Sequence, residues 1–434
     1  MTSFLLIIFA AVCAGLLAWG MREKGRIYEF PFLAGATFTG FVLPQLIGLR
    51  SDTVLPEYAL EKTIFMSILC AGMCYLGYIA RPRPVQMLNW KFHHNKLMGA
   101  SAALTLIGAY FFFEISRLPE YLTEAAQWSG LPVAYYFFAQ VLAYGLALAV
   151  VTYAATGSRW ALWVALSGSL FYVDRIFLAG RRGETLEVAF ILLLSFWFGR
   201  KLSLPRPLML LAVCFGTLLL HSTGDYREVA MDDDVFKWKR LKDISFVDNL
   251  KLQMTEGGVE LENAVFQIAA TDETKNFDFG LFNWNTLVSN YVPAQLLGEK
   301  FKQSLMAPLQ EDDIYALFGH VPIAGSTMTG MVDAFGSFWY FGCLKFFLIG
   351  LVLRKVYAAA AQGHFIARVC YMLIITSALH SITHHTQWFV SPWVHIALFL
   401  GPALFFARAR VSILRRIHFA PAALPKSLNA ENLA

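Results

Sequence analysis

The sequence predicts an all-α polytopic membrane protein with about eleven transmembrane helices and one large extracytoplasmic loop. Three observations carry that expectation. Hydrophobic residues make up 57% of the 434 positions and charged residues only 15%, against about 25% charged in a soluble protein. Apolar stretches near the ~20 residues that cross a bilayer recur along the chain. The basic residues gather in alternate loops, as cytoplasmic loops do. The 38 Phe and 11 Trp suit lipid-facing and interfacial positions.

The apolar stretches lie near 4–21, 29–48, 62–80, 97–114, 132–153, 160–178, 185–199, 207–222, 334–353, 364–381 and 391–407. The sixth and seventh are interrupted by charge. The first has no Lys or Arg before it and no small-x-small cleavage site after it, so it reads as a retained helix rather than a signal peptide. The six cysteines, Cys13, Cys70, Cys74, Cys214, Cys343 and Cys370, all fall inside apolar stretches. They read as small packing residues, not as a disulfide framework or a CxxC metal site.

Loop charge sets the expected orientation. Arg22, Lys24 and Arg26 follow the first stretch, and Arg81, Arg83, Lys91 and Lys96 the third. Arg200, Lys201 and Arg206 follow the seventh, and Arg354 and Lys355 the ninth. Arg408, Arg410, Arg415 and Arg416 mark the tail. The positive-inside rule then puts the N-terminus in the periplasm and the C-terminus in the cytoplasm. Residues 223–332 form the large loop, with 17 Asp and Glu against 9 Lys and Arg, a net of −8. The whole chain is +5, so the rest carries +13. An acidic outer region speaks against nucleic acid as a partner, which would need a basic face. Four regions follow: an N-terminal bundle of about eight helices over 1–222, the loop over 223–332, about three helices over 333–407, and a cytoplasmic tail over 408–434. Within the loop, Leu261, Val265 and Ile268, and likewise Ile244, Val247 and Leu250, recur at helical spacing. Both sets suggest short amphipathic helices lying on the bundle or the membrane surface.

Arginines on the outer side are the main candidates for chemistry. The segment 174–184 joins the sixth and seventh stretches and holds Asp174, Arg175, Arg181, Arg182 and Glu184. Charge at a membrane edge on the unfavoured side is costly and points to function. Arginine pairs bidentately with phosphate and never loses its charge. Gly180 and Gly183 flank the pair and allow close approach. The bland alternative is snorkelling to lipid phosphates, or pairing with Asp174, Glu184 and Glu187. Arg227 lies beyond the eighth stretch and can join the cluster or be solvated.

His320 suits a general base, because a neutral imidazole near pH 7 can take a proton from a sugar hydroxyl. A structural loop histidine is the ordinary alternative. Asp333 and Asp174 are fallback bases. Asp232-Asp233-Asp234 has the look of a carboxylate site for Mg²⁺ or Mn²⁺, but an acidic solvated loop explains it as well. His380, His384 and His385 match one histidine box of a di-iron enzyme. No second box occurs among the ten histidines, so a polar interfacial cluster near a substrate is the preferred reading. No phosphate loop, GxGxxG, GxSxG or HExxH motif is present. The expectation is therefore an enzyme with neither a metal nor another cofactor.

Three stretches resemble the bacterial oligosaccharide repeat-unit polymerases, the Wzy-type O-antigen and exopolysaccharide polymerases. Phe177 to Leu186 is similar to that family's Gly-Ser-Arg-Gly junction. Asn285 to Met306, with Asn290-Tyr291-Val292-Pro293, is similar to its loop before the last helices. Gly325 to Gly330, through Asp333 to Phe341-Gly342, is similar to the segment entering its next transmembrane helix. Arg182 stands at the family's arginine, Arg181 replaces its usual small residue, and Glu184 is a further departure. The first outer loop has Asp52 and Glu57 but no Asp-x-Asp, unlike many polyprenyl-phosphate-sugar transferases.

The resemblance implies a GT-C-like layout in the bacterial inner membrane. It implies glycosyl transfer between undecaprenyl-diphosphate-linked oligosaccharides at the periplasmic face, with a flippase and a chain-length regulator as partners. Arg182, Arg181 and Arg175 would contact the diphosphate, with Arg227 in support, and His320 or Asp333 would serve as base. The rival expectations are an O-antigen-ligase-like transferase, a polysaccharide transporter or flippase, and a membrane acyltransferase centred on His380.

Overall fold

The structure is a computed structural model that describes residues 1–80, 89–119, 122, 130–178, 180–231, 237–292, 294–310, 312–323 and 326–409. Among these the elements are all helical, with one isolated bridge between Phe92 and Arg408. Ala179, Asp232 to Asp234, Pro293, Gly325 and nearly all of the expected tail lie outside the described residues.

The chain runs through α1 (Thr2–Met21), α2 (Phe30–Leu49), α3 (Glu57–Ile79), α4 (His94–Ser116) and α5 (Leu131–Thr156). Each is long and apolar enough to cross a membrane. Pro31 and Pro132 sit in the first turns of α2 and α5, where a missing N–H costs nothing. Pro44 follows a π-helical turn over Phe38–Val42 in mid-α2, the ordinary response to a lost backbone donor.

The next three apolar stretches are where expectation and structure differ. The helix α6 (Arg159–Val173) has 15 residues and passes into a π-helical turn, Asp174–Leu178. The helix α7 (Arg182–Arg200) carries Glu184 and Glu187 in its first two turns. The helix α8 (Arg206–His221) is followed, after a 61° bend, by α9 (Thr223–Met231), and the two together are a ninth crossing or a re-entrant turn. With the three helices that end the chain, eight described helices qualify as spans, or nine with the bent pair, against about eleven expected. Charge in α7, and the brevity of α6 and α8, account for the difference.

The large loop is mostly helix. It contains α10 (Phe246–Glu256), α11 (Val259–Thr274) and α12 (Leu281–Tyr291), followed by short turns. Leu261, Val265 and Ile268 are buried as their spacing predicts, and α11 docks on α3 and on the helical segment Gly330–Phe338. In the other expected amphipathic stretch, Ile244 is buried but Val247 is exposed, and α10 begins only at Phe246. It rests against α2 and α8. The chain then returns through α13 (Gly330–Ala361), α14 (Phe365–Thr383) and α15 (Gln387–Ala407). A 3₁₀ turn, Trp339–Cys343, interrupts α13, and Pro392 lies inside α15 ahead of a third π-turn.

The core centres on α14. It is apolar all round, so no face is reserved for solvent, and it packs against α2, α5, α7, α13 and α15. Small residues let helices close up. A Cβ on Gly77 would stand 2.0 Å from the Phe347 carbonyl oxygen, and one on Gly350 would stand 2.7 Å from that of Cys74. The backbones of α3 and α13 therefore touch, as small-residue interfaces in membranes allow.

Cross-links sort the loops to two ends. At one end Lys62 pairs with Asp272, Tyr58 donates to Glu273, and Thr327 donates to the Thr383 carbonyl. At the other, Arg354 pairs with Glu29, the Tyr28 hydroxyl accepts from Leu204 N, and Ala409 N donates to Lys91 O. The basic loops share this second end. The first, called the loop end, holds the described residues among 50–56, 174–181, 223–329 and 384–386.

Candidate functional site

The arginine segment sits at the loop end, where α6 passes to α7. Gly180 adopts φ +56°, and its carbonyl accepts from Arg227 Nε and Nη2 at 3.4 and 3.3 Å. A Cβ there would come within 3.1 Å of Arg227 Cγ, so glycine both makes the turn and admits α9. The neighbouring Tyr226 hydroxyl donates to the Phe177 carbonyl. Thus α9 fastens the turn and brings Arg227 to Arg181 and Arg182.

The four arginines meet different fates. Arg175 is held bidentately by Glu184, at 2.8 and 2.6 Å, and its guanidinium lies over Phe112 at 4.9 Å and Tyr136 at 5.8 Å. It cannot take an anion without giving up Glu184, so the expected phosphate role does not suit it. Arg181 and Arg182 make no side-chain hydrogen bond or ion pair among the described residues, and Arg182 Nε is buried without a partner. Arg182 begins α7, where the helix dipole already favours negative charge. It lies within electrostatic range of Arg227, Glu260, His221 and His384. Three guanidiniums thus converge, and no described carboxylate neutralises any of them by contact.

An imidazole cluster borders them. His380, in the last turn of α14, packs on the first turn of α7: a Cβ at Gly183 would be 3.0 Å from its Cε1. Its ring centre is 5.5 Å from that of His384 and 5.3 Å from that of Trp388, and His384 is 5.2 Å from Trp388. Burial, then the charges of His380, His385 and Arg182, push His384 down to about 3. Burial lowers His385 too. Both are neutral at pH 7 and add no charge to the arginines. Among the described residues, no three His, Cys, Asp or Glu side chains are placed to hold a metal ion.

The helix α11 roofs the site. Its buried face carries two polar residues, Asn263 and Thr271, and the half-buried Glu260 and Gln267 flank Asn263 at helical spacing. Glu260 looks toward Arg182 and His221, and Gln267 Oε1 is buried without a partner. Asn263 Oδ1 accepts from His320 Nε2 at 2.7 Å, and His320 stacks on Phe266 with 4.1 Å between ring centres. His320 is therefore fixed on the same helix that faces Arg182.

Asp333 has a different setting. Its Oδ1 is 2.9 Å from Lys345 Nζ, and its Oδ2 accepts from Thr386 N at 2.7 Å and from the Thr386 hydroxyl. Lys345 also reaches Asn283 Oδ1 and Ser337 Oγ, each at 2.7 Å. With both oxygens hydrogen-bonded, this carboxylate is a strut between α13 and the α14–α15 turn, a setting that suits it less well to act as a base. The Asp174 side chain and Asp232 to Asp234 lie outside the described part. The sequence reading missed the α11 stripe. Its signal was three polar residues, Glu260, Asn263 and Gln267, at helical spacing along a mostly apolar helix.

Comparison of the chain with protein-family models, with curated proteins and with solved structures finds no match.

Proposed function

We propose that this chain polymerises lipid-diphosphate-linked oligosaccharide repeat units at the outer face of a bacterial inner membrane. The supporting observation is the trio Arg181, Arg182 and Arg227, whose charge is met by no contacting carboxylate and which stands beside neutral imidazoles at a bundle end. Such a place suits an anion, and a helix N-terminus strengthens it. The resemblance of 177–186 to the repeat-unit polymerases selects a lipid diphosphate as that anion. The rest of that reading follows: a GT-C-like bundle of about eleven passes, the short or charged α6, α7 and α8 included, with the N-terminus periplasmic and the C-terminus cytoplasmic.

In the reaction an acceptor sugar hydroxyl of one repeat unit attacks the anomeric carbon of the growing glycan. The carbon–oxygen bond to the lipid diphosphate breaks, and its electron pair leaves with the phosphate oxygen. The hydroxyl proton passes to His320. Arg182, with Arg181 and Arg227, meets the negative charge that develops on the leaving oxygen, as fixed donors do in oxyanion sites. Arg175 holds the turn through Glu184, and Asp333 ties α13 to α14 and α15.

The test is reconstitution in nanodiscs with native lipid-linked repeat units. Purified protein alone should lengthen them, and Arg182→Ala should lower the rate by about 10²–10³-fold, the usual cost of one such donor. Unextended repeats with wild-type protein would end the proposal. Transfer of glycan only to an outer-membrane lipid core would assign the ligase reaction instead.

A further inference from the structure

We propose that Asn263 is a positioning residue that holds His320 as its Nε2–H tautomer, leaving Nδ1 as the proton-accepting nitrogen, with Glu262 placed to stabilise the proton once it arrives. The argument is one of hydrogen-bond direction. The Ile323 carbonyl can only accept, and Ser326 Oγ lies 2.7 Å from it. The one hydroxyl hydrogen of Ser326 is thereby spent. Ser326 Oγ must then accept from the Asn263 side chain, 2.6 Å away, which makes that amide atom Nδ2. The other amide atom, Oδ1, faces His320 Nε2 at 2.7 Å. An amide oxygen cannot donate, so Nε2 carries the hydrogen and the neutral ring keeps its lone pair on Nδ1.

The ring plane is set as well, by stacking on Phe266. Of the charged groups on the elements around the ring, Glu262 on α11 comes nearest, with Oε1 3.7 Å from Nδ1. Asp313, ahead of the turn that ends at Gly319, is committed to the Ala316 amide at 2.9 Å, and Asp312 faces Asn276 at 3.2 Å. Glu260, one turn back on α11, lies toward Arg182. The chain Ile323, Ser326, Asn263, His320 thus ends at a nitrogen facing a carboxylate, the orienting logic of a base held by a third group. This inference rests on the proposed role of His320 as base, but its structural half stands independently of activity.

The experiment is ¹⁵N NMR of full-length protein in nanodiscs with ¹⁵N-labelled histidine, the His320 signals being assigned by their loss in His320→Gln. At pH 8 the wild type should show a protonated Nε2 and a bare Nδ1. Asn263→Leu should give a mixture of tautomers, while Asn263→Asp, which can only accept, should keep the wild-type pattern. Nδ1–H in the wild type, or an unchanged pattern in Asn263→Leu, would overturn the proposal whatever the enzyme does. The second readout is the pH profile of repeat-unit transfer. Glu262→Gln should move its acidic limb to lower pH, since the carboxylate 3.7 Å from Nδ1 is gone. An unmoved limb would exclude Glu262. A wild type that transfers nothing but shows the expected tautomer would remove the function and leave the positioning intact.

Discussion

Both ends of the bundle hold arginines out of water, and they are treated in opposite ways. At the end opposite the loop, Arg354 Nη1 lies 3.4 Å from Glu29 Oε2 and its guanidinium lies over the Tyr78 ring at 5.1 Å. Arg368 is fully buried and donates to the Ala360 carbonyl at 3.1 Å. Tyr371 donates to the Tyr28 carbonyl at 2.8 Å, and Trp197 stacks on Tyr28. Arg354 and Arg368 each have an acceptor within the fold. At the loop end, Arg181 is open to solvent, the half-buried Arg182 has no acceptor for its buried Nε, and Arg227 has only a long contact to one carbonyl. A buried charge with an internal partner belongs to the architecture, whereas one without a partner is held at a cost that folding does not recover. Arg175, paired to Glu184 a few ångströms of chain away from Arg182, shows both treatments within one segment.

Substitution should sharpen that contrast. The largest effect is expected for Arg354→Met, which strands Glu29 in a buried position. Breaking one side of such a pair costs about 3–5 kcal/mol. Thermal or denaturant unfolding in detergent should show the loss, and Glu29→Gln combined with Arg354→Met should restore most of it. Failure of the double variant to recover would mean that the ion pair is not what holds that end. Arg182→Met should do the reverse. Stability should be unchanged or slightly raised, while transfer falls by about 10²-fold or more. A drop in melting temperature as large as that of Arg354→Met would place Arg182 among the architectural arginines and erase the distinction.

Arg175→Gln should lie between the two. It leaves Glu184 with an unmet charge at a cost of about 1–3 kcal/mol, and it loosens the turn that presents Arg182. Adding Glu184→Gln should recover stability. Activity that never depended on Arg175 in either background would detach the turn from the site.

The smallest effect is a slope. His384 titrates in the fold at about 3, against an ordinary value near 6.5. Above pH 6.5 both folded and unfolded chains are neutral at this group, and stability is at its full value. As pH falls below 6.5 the unfolded chain takes up a proton that the fold refuses, so stability drops by up to about 1.4 kcal/mol per pH unit. The fall should level off toward pH 3. His384→Gln should flatten the curve measured by thermal unfolding between pH 6.5 and 4.5. An identical curve in the variant would show that the imidazole is not buried neutral.

Much of the architecture is readable without coordinates, because crossing a bilayer demands long apolar helices and composition alone reports them. The ends of α1 to α5 and of α13 to α15 lie close to the apolar stretches that predict them. The count is less readable. In α7, Glu184 and Glu187 break the apolar pattern, and only the pairing of Glu184 with Arg175 explains one of them. The site was half visible. Arg182 stands out by residue type and place. Its lack of a partner does not, since Glu184 and Glu187 both follow it closely in sequence and only the fold shows that Glu184 is spent on Arg175.

By itself, then, the sequence determined the class of the molecule, the alternation of basic and acidic loops, and the segment where cations crowd a membrane edge. Those are properties of composition and one-dimensional pattern. Tertiary structure decided which arginine is neutralised and which is not, that α11 folds down with Glu260, Asn263 and Gln267 facing inward, and that Asp333 is a strut. It also set His320 between Asn263 and Glu262, residues 57 and 58 positions away in the chain. The reason is physical: a charge's role depends on whether an opposite charge or a hydrogen-bond acceptor lies within a few ångströms of it, and helices distant in sequence supply those neighbours only after they pack.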